Sequence, residues 1–336
     1  MALPSFPVLY STPRADAVAD FVSTHYDLGG PIGCKLLHRG WNDSFEIKSG
    51  GGERFILRLS KWRARGEADV ASETRFLAYL DDKGVPVAAA YATRNGSLFT
   101  FASLPEGQRT AVLFRHAGGR PSRARSSLAD ARANGVTLAR MHDAAAGFAA
   151  GDKARYRLDC DHLLRRPLSL ILSVEDLGDS VRESLVDLTG RLSNAMAERH
   201  GLSSTYCHGD CHGYNAHIGL HGRYAGQAVF FDFDESGPGY LADDLSVFLL
   251  SCVAFGQTDH AFWHAFIEGY RSVRELSQAD LDAAHLFVPI RHIWLMGEYA
   301  SHIPEWGKQA VPPDWIAEKL KFMLSWEEEK LAPGLF

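Results

Sequence analysis

The chain has 336 residues, of which 46% are hydrophobic and 23% charged, and carries a net charge of −6 at neutral pH. That is enough apolar material for packed cores, which excludes a disordered chain. The acidic balance argues against a protein whose task is to grip a nucleic-acid backbone, because clustered basic residues supply that affinity.

No apolar run approaches the ~20 residues of a membrane span. The opening stretch has no basic region followed by an apolar one, so no export signal is expected. Five cysteines, an odd number, fit reduced thiols in the cytoplasm. With ~100–200 residues to a typical domain, the length predicts two domains or one domain with two lobes. Neither nucleic-acid nor membrane partners are expected, and nothing here addresses oligomeric state.

Residues 13–28 are predicted helical, with Ala17, Phe21 and Leu28 on one stripe and Gly29-Gly30 as the stop. Cys34–Leu37, Ser44–Ile47 and Phe55–Leu59 are short β-prone runs separated by Gly40-Trp41-Asn42-Asp43 and Gly50-Gly51-Gly52, the pattern of an antiparallel meander. A helix is predicted from Glu67 to Lys83, closed by Gly84-Val85-Pro86, and strands over 97–102 and 110–115. Residues 116–120 form a glycine-containing connector. Beyond it, helices are expected at 126–143, with Leu128, Ala131, Gly135, Leu138 and His142 on one face, and at 181–200. The β runs at 204–220 and 227–233 form a hairpin through His221-Gly222-Arg223, and several Trp-bearing helices complete the chain. This predicts an α+β architecture: a β-rich N-terminal lobe (1–115) with one key helix, and a larger, mainly helical lobe (121–336). Clefts between lobes are favoured ligand sites.

The segment that carries chemistry is Tyr206-Cys207-His208-Gly209-Asp210-Cys211-His212-Gly213-Tyr214-Asn215, followed by Phe230-Phe231-Asp232-Phe233-Asp234. Phosphoryl transfer needs a carboxylate to take the acceptor's hydroxyl proton, oxygen ligands for Mg²⁺ and positive charge on the phosphates. The protein-kinase loop H-R-D-L-x-x-x-N sets Asp and Asn five residues apart and is followed by D-F-G. Asp210 and Asn215 have that spacing, His208 stands two before the Asp, and Asp232-Phe233 follows. Asp, Asn and Gly are also ordinary turn residues, so it is the spaced combination that points to chemistry. Cys207, His208, Cys211 and His212 are candidate zinc ligands. They fall within six residues, whereas structural zinc usually draws on two separated pairs.

The run HGDCHGYN with DFDESGPGYLADDL resembles the aminoglycoside phosphotransferase and choline kinase family, and within it the stress response kinase A and homoserine kinase type II-like branches. The resemblance implies a protein-kinase-like fold and an ATP- and Mg²⁺-dependent kinase. By it, Asp210 is the catalytic base, Asn215 and Asp232 hold Mg²⁺, and His208 and Asp244 brace the catalytic loop. Asp243 competes with Asp244 for that role. Asp234, in place of the Gly of D-F-G, is either a further metal ligand or a solvent-facing residue.

In the N-terminal lobe, Val70, Glu73, Leu77 and Leu80 share a helical stripe, so Glu73 points at the sheet and needs a cationic partner. Arg58 shares a strand face with Ile56, opposite Phe55, Leu57 and Leu59, and is the candidate, with Lys61 as the substitute. Kinases carry Lys here, and Arg differs by its longer planar fork. Arg39-Gly40-Trp41-Asn42-Asp43-Ser44 occupies the place of the phosphate loop with one Gly left, and Asn42 and Ser44 are its candidate phosphate contacts. Residues 114–119 are the hinge by family topology.

For the acceptor, Trp263, Trp294, Tyr299 and Trp306 are either a cage for a cationic group or core, and Asp234, Glu235, Asp243 and Glu298 favour an amine. The expected acceptor is a hydroxyl of a small metabolite or antibiotic-like, amine-bearing molecule. A protein Ser/Thr is the alternative, and a nucleotide-binding pseudokinase scaffold the alternative of another class.

Overall fold

The computed structural model describes residues 6–61, 67–149, 157–253 and 260–331. The chain divides into two compact units, the first running to Gly118 and the second taking up at Gly119.

In the first unit, α1 (Ala15–His25) precedes a three-stranded meander, β1 (Gly33–Arg39), β2 (Asn42–Lys48) and β3 (Arg54–Ser60). After α2 (Glu67–Asp82) comes the hairpin β4 (Thr100–Leu104) and β5 (Gly107–Arg115). The strands make one antiparallel sheet in the order β1-β2-β3-β5-β4. Alternation gives the sheet two different faces. Phe45, Ile47, Phe55, Leu57, Leu59, Ala111 and Leu113 form one buried cluster with Val18, Val22 and Tyr26, which recur at i, i+4 and i+8 at the α1 end of the chain. The seam of α1 is therefore one residue away from the predicted stripe: Ala17 is exposed, and Phe21 and Leu28 only flank the cluster. The other face carries Ser44 and Arg58, paired across β2 and β3, with Val112 opposite Arg58 on β5. Asn42 and Asp43 belong to β2 rather than to the preceding turn.

The second unit opens with β6 (Arg120–Pro121) and α3 (Leu128–Ala145), whose N-cap Ser127 accepts from Asp130 N. Ala131, Gly135, Leu138 and His142 are buried as the periodicity predicts, but Leu128, in the first turn, is exposed. There follow α4 (Arg166–Leu172), α5 (Asp179–Glu198), β7 (Ser204–Cys207), β8 (Ala216–Ile218), β9 (Ala228–Phe230) and β10 (Gly237–Tyr240). Helices α6 (Leu241–Val253), α7 (His260–Arg271), α8 (Gln278–Ser301), α9 (Ile303–Trp306) and α10 (Pro313–Trp326) complete it. The predicted hairpin is β8–β9, with β6 on its other edge, and it is shorter than the β-prone runs. Strand β10, unexpected in a Gly-Pro-Gly stretch, pairs with β7 in a two-stranded ribbon, where an edge tolerates Pro238. Helix α4 was also not foreseen.

The long helix α8 is buried along most of its length and is capped by Ser277, whose Oγ accepts from Asp280 N at 3.0 Å. Asp280 in turn accepts from Ser203 N and Oγ, each at 2.8 Å, which ties the start of α8 to the start of β7. Helices α3 and α7 approach backbone to backbone at Gly135, where a Cβ would overlap the Phe266 carbonyl oxygen. Because that neighbour is backbone, Gly135→Ala should destabilise the protein by about 1–3 kcal/mol, as overpacked cores do. Urea unfolding of the purified variant checks this, and an unchanged midpoint would show that the helices can slide apart freely.

Candidate active site

On the α2-facing side of the sheet, Arg58 and Glu73 form a two-pronged ion pair, Nη1–Oε1 at 2.9 Å and Nη2–Oε2 at 2.5 Å. Both side chains are 5% exposed, so this is an interior pair rather than a surface one. The guanidinium also lies 5.0 Å from the Phe114 ring centroid. Lys61 is buried elsewhere, with Nζ 5.2 Å from the Tyr10 ring. Asn42 and Ser44 are half-buried on the face that bears Arg58. Between them Asp43 turns to the other face and is held by Arg109 Nη2 at 2.8 Å. Arg109 also donates to the carbonyls of Ser11, Leu59 and Ser60. The turn ahead of β2 is thus anchored from beneath by a buried ion pair that the sequence did not signal.

In the second unit the loop after β7 is organised by Asp244, in the first turn of α6. Its carboxylate accepts from His208 N (Oδ2, 2.8 Å) and Gly209 N (Oδ1, 2.8 Å), and from His142 Nε2 at 3.0 Å. Tyr270 OH completes the chain at 2.9 Å from His142 Nδ1. Burial opposes the Asp244 charge, but the hydrogen bonds it accepts from His142 and Gly209 outweigh it and hold the carboxyl below its usual range. Gly209 has φ +81°, and a Cβ there would overlap the Glu235 carbonyl, so only glycine fits this turn. The His208 ring accepts from Asp210 N at Nδ1 (3.2 Å) and meets the Phe231 carbonyl at Nε2 (3.1 Å). Burial pushes its pKa down, matching a neutral ring that donates from Nε2.

Asp210 is held at both oxygens yet stays 27% exposed at its side chain. Arg291 Nη2 donates to Oδ1 at 2.7 Å, Asn215 Nδ2 to Oδ2 at 2.9 Å, and His212 Nε2 stands 3.5 Å from Oδ2. Asn215 Nδ2 also donates to the Asp210 carbonyl at 3.0 Å. Both contacts use the amide nitrogen, which leaves the harder donor, Oδ1, for another partner. Strand β9 ends two residues before Asp232, which is exposed and takes a left-handed φ of +65°, rare for a residue other than glycine and favoured at sites. Asp234 is half-buried further on. One amide oxygen and one or two carboxylates suit Mg²⁺, which keeps several waters and takes phosphate oxygens rather than filling an all-protein cage. Among the described residues no group of three or more His, Cys, Asp or Glu could hold a metal by itself. The zinc candidates diverge: Cys207 Sγ bonds the Tyr240 carbonyl and Cys211 Sγ the Asp244 carbonyl, while burial keeps both thiols protonated.

The adjacent carboxylates of α6 have opposite fates. Both Asp243 oxygens are buried, and among the described residues no donor reaches either. Burial pushes its pKa up to about 7, against the pull of Arg291. The aromatic cage does not assemble. Trp263 lies against Phe266, Trp294 carries the Arg291 guanidinium 3.7 Å from its ring centroid, and Tyr299 packs with Trp306 and Trp315. Glu298 is paired with Arg166. Sequence reasoning missed Arg291, His142, Tyr270 and Arg109. Arg291 alone had a signal, as the one charge in the apolar run AAHLFVPIRHIWLM at helical spacing from Trp294.

Residues 33–276 match the Phosphotransferase enzyme family (APH), and the chain belongs to that family. It is a phosphotransferase with a protein-kinase-like fold. The chain is 36% identical over 331 residues to an uncharacterized protein of Deinococcus radiodurans, covering 96% of this chain and 93% of that one. Among solved structures, the microcompartment-associated aminopropanol kinase has a TM-score of 0.77 at 21% identity, covering 96% of this chain and all 100% of that one. Amicoumacin kinase hAmiN, solved with AMP-PNP, Ca²⁺ and Ami, has 0.75 at 19% identity, with 95% of each chain covered. These two likenesses establish the shared fold. No described helix is long and apolar enough to cross a membrane.

Two expectations follow. Glu73→Ala strands the buried Arg58 charge and should cost about 3–5 kcal/mol of stability, whereas the isosteric Glu73→Gln should lose less; equal unfolding midpoints for wild type and Glu73→Ala would refute the interior pair. For Asp243, the folded chain keeps a proton from about pH 4 up to about 7 that the unfolded chain has released, so this residue's contribution to stability falls as pH rises through that window. Asp243→Asn should therefore gain in melting temperature relative to wild type between pH 5 and pH 8, and a constant difference across that range would contradict it.

Proposed function

We propose that this chain transfers the γ-phosphoryl group of ATP, with Mg²⁺, to a hydroxyl of a small molecule, Asp210 being the base. The observation that carries the reading is the setting of Asp210: a carboxylate with both oxygens oriented, partly open to solvent, on a loop fixed by a buried second carboxylate. Asp210 would accept the acceptor's proton as that oxygen bonds to the γ-phosphorus, while the bond from the phosphorus to the β–γ bridging oxygen breaks and ADP departs. Asn215 through Oδ1 and Asp232 would hold the metal, with Asp234 as the additional donor. Bound Mg²⁺ supplies charge neutralisation on the phosphates. His208 and Asp244 keep the loop in place. In the first unit, Arg58 held by Glu73 is assigned to the phosphates through its planar fork, with Asn42 and Ser44 on the same face. The hinge is assigned to residues 116–120.

A small acceptor is favoured by the fold shared with kinases named for aminopropanol and amicoumacin. With Trp294 already covered by Arg291, an amine-bearing acceptor would have to be recognised by carboxylates rather than by an aromatic cage.

The test is ADP release from Mg²⁺-ATP by wild type and Asp210→Asn across amino alcohols, homoserine, aminoglycosides and a Ser/Thr-rich protein. A small molecule should stimulate release, Asp210→Asn should lower it ~10²–10⁴-fold with nucleotide binding retained, and Asp232→Ala should weaken Mg²⁺-dependent binding. Stimulation by the protein alone would replace the small-molecule reading, and turnover that survives Asp210→Asn would remove the base.

A further inference from the structure

Arg291 lies 81 positions from Asp210 in sequence, yet bonds its Oδ1 at 2.7 Å with a side chain only 4% exposed. Its guanidinium lies against Trp294, one turn on along α8, and that ring is itself fixed by an Nε1–H bond to His162 Nε2 at 3.1 Å. A cation so enclosed cannot be carried by water and must be compensated by carboxylates. Asp210 supplies the bonded partner. The two residues come from the catalytic loop and α8, and their pairing is an arrangement separate from the Asp244 brace, which uses the loop backbone.

We propose that Arg291 is a positioning residue for Asp210, fixing the orientation of its carboxylate. The proposal rests on Asp210 acting as the base. Arg291 fixes one oxygen and Asn215 the other, so the plane of the carboxylate is set before any acceptor arrives.

A mutant cycle on the full chain distinguishes this from a merely structural cluster. The probe is steady-state ADP release from Mg²⁺-ATP with water as acceptor, alongside Mg²⁺-ATP affinity and melting temperature. Arg291→Met should lower release about 10²-fold, the effect of misplacing a reacting group by about an ångström, with nucleotide affinity unchanged. Combined with Asp210→Asn it should add less than about threefold, because groups that act as a unit are not additive. Arg291→Lys, which keeps the charge and loses the fork, should recover part of the rate and holds the cycle together if the Met variant does not fold.

Full multiplicativity with Asp210→Asn, or an Arg291→Met rate equal to wild type, would overturn the positioning role. A wild-type rate that Asp210→Asn leaves unaltered would instead overturn the base assignment, and this proposal with it.

Discussion

The buried carboxylate of Asp244 is the constraint on which the loop after β7 depends. An ionised group without water must find donors from its surroundings, and here they are His208 N, Gly209 N and His142, the last backed by Tyr270. The donors come from the loop after β7 and from α3, while Tyr270 comes from α7, so one charge on α6 fixes four parts of the second unit against each other. Each charge-assisted bond is worth about 1.5–3 kcal/mol, and losing any of them leaves the carboxylate short. The turn at Gly209 follows from this demand. The N–H groups of His208 and Gly209 both reach the one carboxylate, and Gly209 holds a left-handed conformation where no side chain fits.

That bracing leaves Asp210 on the far side of the turn, half open, with its orientation set by side chains rather than by backbone. Asp243 and Asp244 sit one residue apart in the first turn of the same helix, both fully buried. They differ because only Asp244 meets donors. The result is one carboxyl held below its ordinary range and one raised to about 7. Neighbouring identical residues in one helix turn thus acquire different protonation behaviour purely from what packs against each.

The first unit solves a comparable problem with an ion pair. Arg58 and Glu73 meet through two parallel bonds, a geometry that the planar guanidinium allows and a lysine ammonium does not. On the opposite face a second buried pair, joined by a single bond, links Asp43 at the start of β2 to Arg109 on β5.

The sequence by itself determined most of the strand and helix order, short elements such as β10 and α4 excepted, because period-2 and period-3.6 patterns are local. It also determined the Arg58–Glu73 partnership, because a carboxylate in an apolar helical stripe demands a cation on the facing strand, and the Asp210-Asn215-Asp232 spacing is a chain-local property. It misread the α1 seam by one residue, since several apolar positions compete there and only contact with the sheet chooses Val18 and Val22. The residue pattern left Asp243 competing with Asp244 for the brace, which only the family resemblance gave to Asp244, and it could not say whether Trp294 was cage or core. Nor could it bring Arg291 to Asp210 across 81 residues. Those outcomes depend on which donors and rings reach a given atom after distant elements pack, and in a low-dielectric interior that proximity, rather than residue type, sets each group's charge, orientation and role.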